Sequence, residues 1–169
     1  MTLDQMLELL KKGAETNLML HNTVAPVFAV FHGKNGADFI SPNFANDAMK
    51  ERSAELIRKH IEQVKAYAVG QVSEAYMVHA DGDQARAELT AAMANGVRAS
   101  NHPQRVEVLI VRIEDRMGVV KTSTAAIVRQ HLGDEASKGT LQPWVDLSDT
   151  IAGSCGRLTD WFRPTGLVH

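Results

Sequence analysis

The chain has a single cysteine in 169 residues, Cys155, so no internal disulfide can form. A lone thiol beside seven methionines fits a reducing compartment better than an oxidising exterior, and a cytoplasmic protein is expected. Long apolar runs are lacking too, since none approaches the roughly 20 residues that a bilayer-spanning helix needs. The opening MTLDQMLELLKKGAETN places acids within its apolar run and lysines after it, the reverse of a secretory signal. Membrane partners are therefore not expected. No charge of one sign dominates, with 18 Lys and Arg against 20 Asp and Glu and a formal net charge of −2. The two signs are interspersed, as in Lys50-Glu51-Arg52 and Glu114-Asp115-Arg116. A nucleic-acid binder concentrates a basic excess on one face, so no nucleic-acid partner is expected either.

Short chemical signatures are equally scarce. The seven histidines never stand closer than 11 positions, which removes the His-x-His and His-Glu-x-x-His zinc patterns. Neither Gly-x-Ser-x-Gly nor Gly-x-Gly-x-x-Gly occurs. GDEASKGT, residues 133–140, comes near a phosphate-binding loop, but Lys138 precedes Gly139 instead of following it, so the amine falls away from the phosphates. A flexible polar loop is expected there. Arg157 beside Cys155 would lower a thiol pKa, yet no local histidine completes a nucleophilic pair, and a passive thiol is expected. No cofactor is implied.

What is present is an ordinary globular composition, 44% apolar and 22% charged, at a length that makes one domain with a sizeable core. Thr2 and Gln5 have capping-box spacing, Leu3, Met6, Leu7 and Leu10 form one helical stripe, and Gly13 offers a stop. An amphipathic helix is expected within residues 1–13. VAPVFAVF, 24–31, reads as a strand with a late start or bulge at Pro26, and Asn35-Gly36 cues a hairpin back through Asp38-Phe39-Ile40. A long helix follows from about Ala45 to Tyr67, its apolar stripe running through Met49, Leu56, Ile57, Ile61, Val64 and Ala68, with His60 at the stripe's boundary. Strands are expected at 69–79, 105–114 and 119–129, the last two joined by an Asp115-to-Gly118 turn. Between the first two lies a polar insertion, 80–103, whose middle is helical, with Asp83 as N-cap and Asn95-Gly96 as stop. The tail after Gln130 reads as loop, with a short extended piece near 156–162.

The expected fold class is therefore α+β, a single domain over 1–169 with a mainly antiparallel sheet and one long packed helix. Its element order resembles the profilin-like and roadblock-like α/β/α sandwiches, a likeness of fold that carries no function. Leu109-Ile110-Val111 leaves neither sheet face polar, so both faces need cover from helices or another subunit.

Two clusters are candidates for chemistry. Glu74, in SEAYMV, and Glu107, in RVEVL, each sit among apolar strand residues. On one face they would form a carboxylate pair able to do acid/base work. The alternative is ion pairing with Arg105, Arg112, Lys121 or Arg129, and strand register decides between them. At the strand's end His79, Asp81 and Asp83 could offer nitrogen and oxygen to a divalent metal, whereas Asp81-Gly82 also suits a turn and Asp83 a helix cap. The Ser73 to Val78 strand followed by His102-Pro103-x-Arg105-x-Glu107 resembles a loose group of small proteins from bacteria and their phages, which often carry Trp where Tyr76 stands. That resemblance implies no activity but gathers Glu74, His102, Arg105 and Glu107 into one cluster.

Three functional expectations follow. The leading one is a non-catalytic module that binds a protein partner or itself. The second is a small hydrolase-like enzyme using Glu74, Glu107 and His102, with a metal near His79. The third, resting on resemblance alone, is a phage or prophage accessory protein.

Overall fold

The computed structural model describes residues 1–129, 138–147 and 161–162. Cys155, residues 133–137 of the glycine-containing loop and residues 156–160 of the expected last strand lie outside the described residues. The elements run α1 (Leu3–His21), β1 (Val27–His32), β2 (Gly36–Ile40), α2 (Asp47–Gln63), β3 (Ala68–Val78), α3 (Asp83–Ala94), β4 (Arg105–Asp115), β5 (Val120–Arg129), β6 (Gly139–Leu141) and β7 (Val145–Leu147). The fold is α+β, with an antiparallel sheet ordered β2-β1-β3-β4-β5 and with β6 and β7 both pairing β5. Among the described residues no helix is long and apolar enough to cross a membrane.

Thr2 and Gln5 close the capping box at the start of α1. Gly13 does not stop this helix, which continues to His21 and ends on Asn22 in the left-handed conformation, φ 57°. The reason is energetic: a mid-helix glycine costs about 1 kcal/mol, while burying Leu18 one turn further gains about 1.5–3 kcal/mol. α1 lays Met6, Leu7, Leu10, Ala14 and Leu18 on one sheet face, against Phe31, Val72, Leu109, Val111 and Ile113. Gly70 lies under Leu10 Cδ1, where a Cβ would have no room.

α2 packs Ala54, Ile57 and Ile61 on the opposite face, over Phe28, Val30 and Val69, and Trp161 closes this core edge-on to Phe28 at 5.0 Å. The molecule is thus helix, sheet, helix in layers, with α1 over Leu109 and Val111 of β4 and α2 over β1 and the start of β3 on the other face. The α2 seam is narrower than the sequence stripe. Met49 and Leu56 are exposed and Ala54 takes the contact, because Ala54, Ile57 and Ile61 share one line at i, i+3, i+7 that Leu56 misses by one residue.

The tail departs from expectation. Where the sequence leads one to expect loop, β6 and β7 return along the edge of β5, with 142–144 facing only Ala125 and Ala126. One extra residue on the returning strand is a bulge, and Pro143, which has no N–H to give the ladder, sits in it.

Candidate functional site

The β3–β4 register settles the geometry of the two acids. Glu74 faces Leu109 and Glu107 faces Tyr76, so both carboxylates lie on the α1 face, one residue pair apart. They do not form a free pair, because Arg129 enters between them from β5. Its Nε donates to Glu107 Oε2 at 2.9 Å and its Nη2 to Oε1 at 2.8 Å, and Nη2 stands 3.6 Å from Glu74 Oε1. Arg129 Nη1 donates to the Asn22 carbonyl at 2.8 Å and to Asn22 Oδ1 at 3.1 Å, at the C-terminus of α1 where a cation is favoured. Asn22 Oδ1 also accepts from Gly139 N at 2.7 Å, and Glu74 Oε1 from Val24 N at 2.6 Å. The hydrogen bond to Glu107 raises the Arg129 pKa against its partial burial. Both Glu107 oxygens and one of Glu74 are thus occupied by donors. This is a clamp that joins the end of α1, β3, β4, β5 and β6.

The other two members of the expected cluster are elsewhere. Arg105 lies over the Tyr76 ring at 5.6 Å, and His102 lines a cavity at the far end of the hairpin. That cavity, about 640 Å³, opens between α3 and the end of β3, with His79, Asp81 and Glu88 also on its wall. His79 Nε2 is 2.8 Å from Asp81 Oδ1, both side chains almost fully exposed, while Asp83 faces Arg86 at 3.8 Å. Asp83 is the first residue of α3 and not its cap. Gly82, φ 87°, holds the cap position without a side-chain hydrogen bond, since only glycine takes that conformation readily. Among the described residues no three His, Cys, Asp or Glu side chains are placed to hold a metal ion.

A third cluster escapes the sequence patterns. His60 Nε2 on α2 stands 2.8 Å from Asp38 Oδ2 on β2, and His32 Nε2 on β1 stands 3.2 Å from the same oxygen. Gly36 makes room for this arrangement, since a Cβ there would sit 2.7 Å from His32 Cε1. The His60 hydrogen bond and then the close His32 imidazole hold the Asp38 pKa below the ordinary carboxylate value. Asp38 and His60 border a cavity of about 330 Å³ floored by Ile40, Leu56 and Ile57. Ser53, also on its wall, is engaged with the Asn43 backbone in both directions, at 3.1 and 3.2 Å. The hairpin spacing of His32 and Asp38 is readable in the sequence, but the arrival of His60 depends on how α2 docks.

No family model, curated protein or solved structure matches the chain.

Proposed function

We propose that the chain is a non-catalytic interaction module of the bacterial or phage cytoplasm, binding a protein partner or a second copy of itself through the arm between β3 and β4. One observation carries this reading: among the described residues none of the twelve in α3 is fully buried, and only Ala85, Leu89 and Ala92 are partly covered. Met93 and Val97 are exposed there, and Leu89 borders the open cavity. A helix of this length is marginal in water by itself, and packing against a partner supplies the missing stabilisation. The clamped state of Glu74 and Glu107 supports the same reading, because it leaves no carboxylate pair free for acid/base work. Sedimentation equilibrium of the full chain from about 1 to 100 µM brackets transient self-association. The expected result is a mass above monomer that Leu89→Asp with Met93→Asp returns to monomer. A strict monomer that also yields no arm-dependent complex sinks the proposal.

A second reading, a small hydrolase-like enzyme, is favoured by the Asp38–His60 pair beside its cavity. There Asp38 orients the imidazole and His60 exchanges the proton, a standard base-and-orienter arrangement. The check is turnover of phosphoester and ester substrates, with and without divalent metals, lost in His60→Gln and kept in Glu74→Gln. Absence of wild-type turnover removes this reading.

A further inference from the structure

We propose that Asn95 is a site of spontaneous covalent modification, its side-chain amide being lost to the Gly96 backbone nitrogen, and that the product unfastens α3. The chain holds two Asn-Gly pairs, Asn35-Gly36 and Asn95-Gly96, and both asparagines are exposed. Glycine has no Cβ to screen its nitrogen, so in each pair that nitrogen can attack the amide carbon of the asparagine before it. The nitrogen gives up its proton and bonds to Cγ, ammonia leaves, and a five-membered succinimide closes. Water then opens either carbonyl. One opening gives aspartate, and the other gives isoaspartate, in which the main chain runs through the side-chain carboxyl. No reactant besides water is needed.

The two pairs differ in what must open first. Gly36 begins β2 opposite His32, and the His32 ring lies against it, with Cε1 2.7 Å from where a Cβ would be. Freeing that peptide means parting β1 from β2, whose paired Phe28 and Ile40 pack under α2. Gly96 is held only by the closing turn of a helix. Asn95 is the C-cap of α3 at φ −84°, and Gly96 follows at φ 88°. The Gly96 N–H donates to the Met93 carbonyl and the Val97 N–H to the Ala92 carbonyl, each at 3.0 Å. Attack waits until this turn frays. None of the twelve residues of α3 is fully buried, so fraying costs little.

The product cannot rebuild the turn. A carboxylate at position 95 stands at the negative end of the helix dipole, and the last turn of α3 has no basic residue to offset it. Isoaspartate also adds a backbone atom ahead of Gly96, which throws both closing hydrogen bonds out of register. α3 then stays open and, on the reading of the arm as the interaction surface, its binding is lost. Because the conversion runs one way, it limits how long a newly made chain stays competent to bind.

The test holds the full chain in warm, mildly alkaline buffer and follows each asparagine by peptide mass spectrometry, with an isoaspartate-specific methyl transfer to read the isomer. Conversion at Asn95 should run at least about tenfold faster than at Asn35. It should vanish in Asn95→Gln, whose longer side chain closes a ring poorly. The α3 amides should lose exchange protection in step with conversion while β3 and β4 keep theirs, and Asn95→Asp should show that loss from the outset. An Asn95 that keeps its amide, equal conversion at Asn35, or α3 protection unchanged after conversion each overturns the proposal. A converting chain that stays monomeric and binds no partner supports the covalent step and sinks the interaction reading alone. An arm that binds while Asn95 keeps its amide sinks only this proposal.

Discussion

Arg129 donates four hydrogen bonds, two to Glu107 and two to Asn22, and so ties β4 and β5 to the end of α1. Removing it leaves Glu74 and Glu107 facing each other, about one-fifth exposed, and strips the Asn22 acceptors of a donor. Breaking a fully buried ion pair costs about 3–5 kcal/mol, and partial exposure here brings the expected loss for Arg129→Met to about 2–3 kcal/mol. Urea unfolding measures it, and a cycle with Glu107→Gln should return a coupling of about 1–2 kcal/mol. A loss under 0.5 kcal/mol would mean that the clamp is ornamental. Asp38 gives the pH dependence. Its folded pKa lies below the unfolded value because the His60 hydrogen bond and the nearby His32 favour the ionised form. The stability it contributes is therefore complete above the unfolded carboxylate pKa and disappears as pH falls through the lower folded value. The stability gap between wild type and Asp38→Asn should close as pH falls from 5 towards 2. At this scale the sequence named the right acids and, in Arg129, one of the right bases. It did not single out Arg129, because the choice rests on which long side chain reaches diagonally across from β5, and that depends on register and on the end of α1.

Helix boundaries show what local pattern can and cannot decide. The start of α1 was legible in Thr2 and Gln5, whose side-chain oxygens each accept from the other's backbone N–H only in the helical conformation. Its end was not, because a glycine stop competes with the burial of Ala14 and Leu18 and loses. The same trade makes Gly13→Ala informative: with open space around the position and helical backbone, the substitution should raise stability by about 0.5–1 kcal/mol, read as an upward shift of the thermal midpoint. At α2 the cap is Asn46, whose Oδ1 accepts from Met49 N at 2.9 Å, and Asn46→Ala should lower stability by about 1 kcal/mol. The hairpin cue at Asn35-Gly36 was placed correctly for a different reason. The left-handed residue of that turn is Gly33, while Gly36 is glycine so that the His32 ring can lie over it. β6 and β7 were hidden because three-residue strands interrupted by a proline carry no alternation to detect.

The layered architecture was visible in outline, since hairpin-length connections and an apolar run on both faces leave few other arrangements. Which helix covers which face was not, because strand parity is relative until one contact is known. That assignment has a consequence for the chain as a whole. α1 is first in sequence, yet it caps the face built by β1, β3, β4 and β5, and it carries two of the polar ties as well. Lys11, nearly buried, bonds Glu8 and Asp146 at 3.0 and 3.1 Å, and Asp146 in turn bonds Ser123, so α1 is fastened to β7 and β5. Burying Met6, Leu7, Leu10 and Leu18 contributes about 6–12 kcal/mol before ordering costs, comparable with the 5–15 kcal/mol that holds a whole domain folded. Deleting residues 1–22 should therefore abolish cooperative unfolding and near-ultraviolet circular dichroism altogether. Replacing the arm, 80–103, by a short glycine-serine link should leave both, because α3 buries nothing that the sandwich needs. Amide exchange should rank the same way, with α3 opening at far lower free energy than β3 and β4. Should the chain without α1 still melt cooperatively, the face it covers would have to be closed by something else, and the layer order described for the sheet would be wrong.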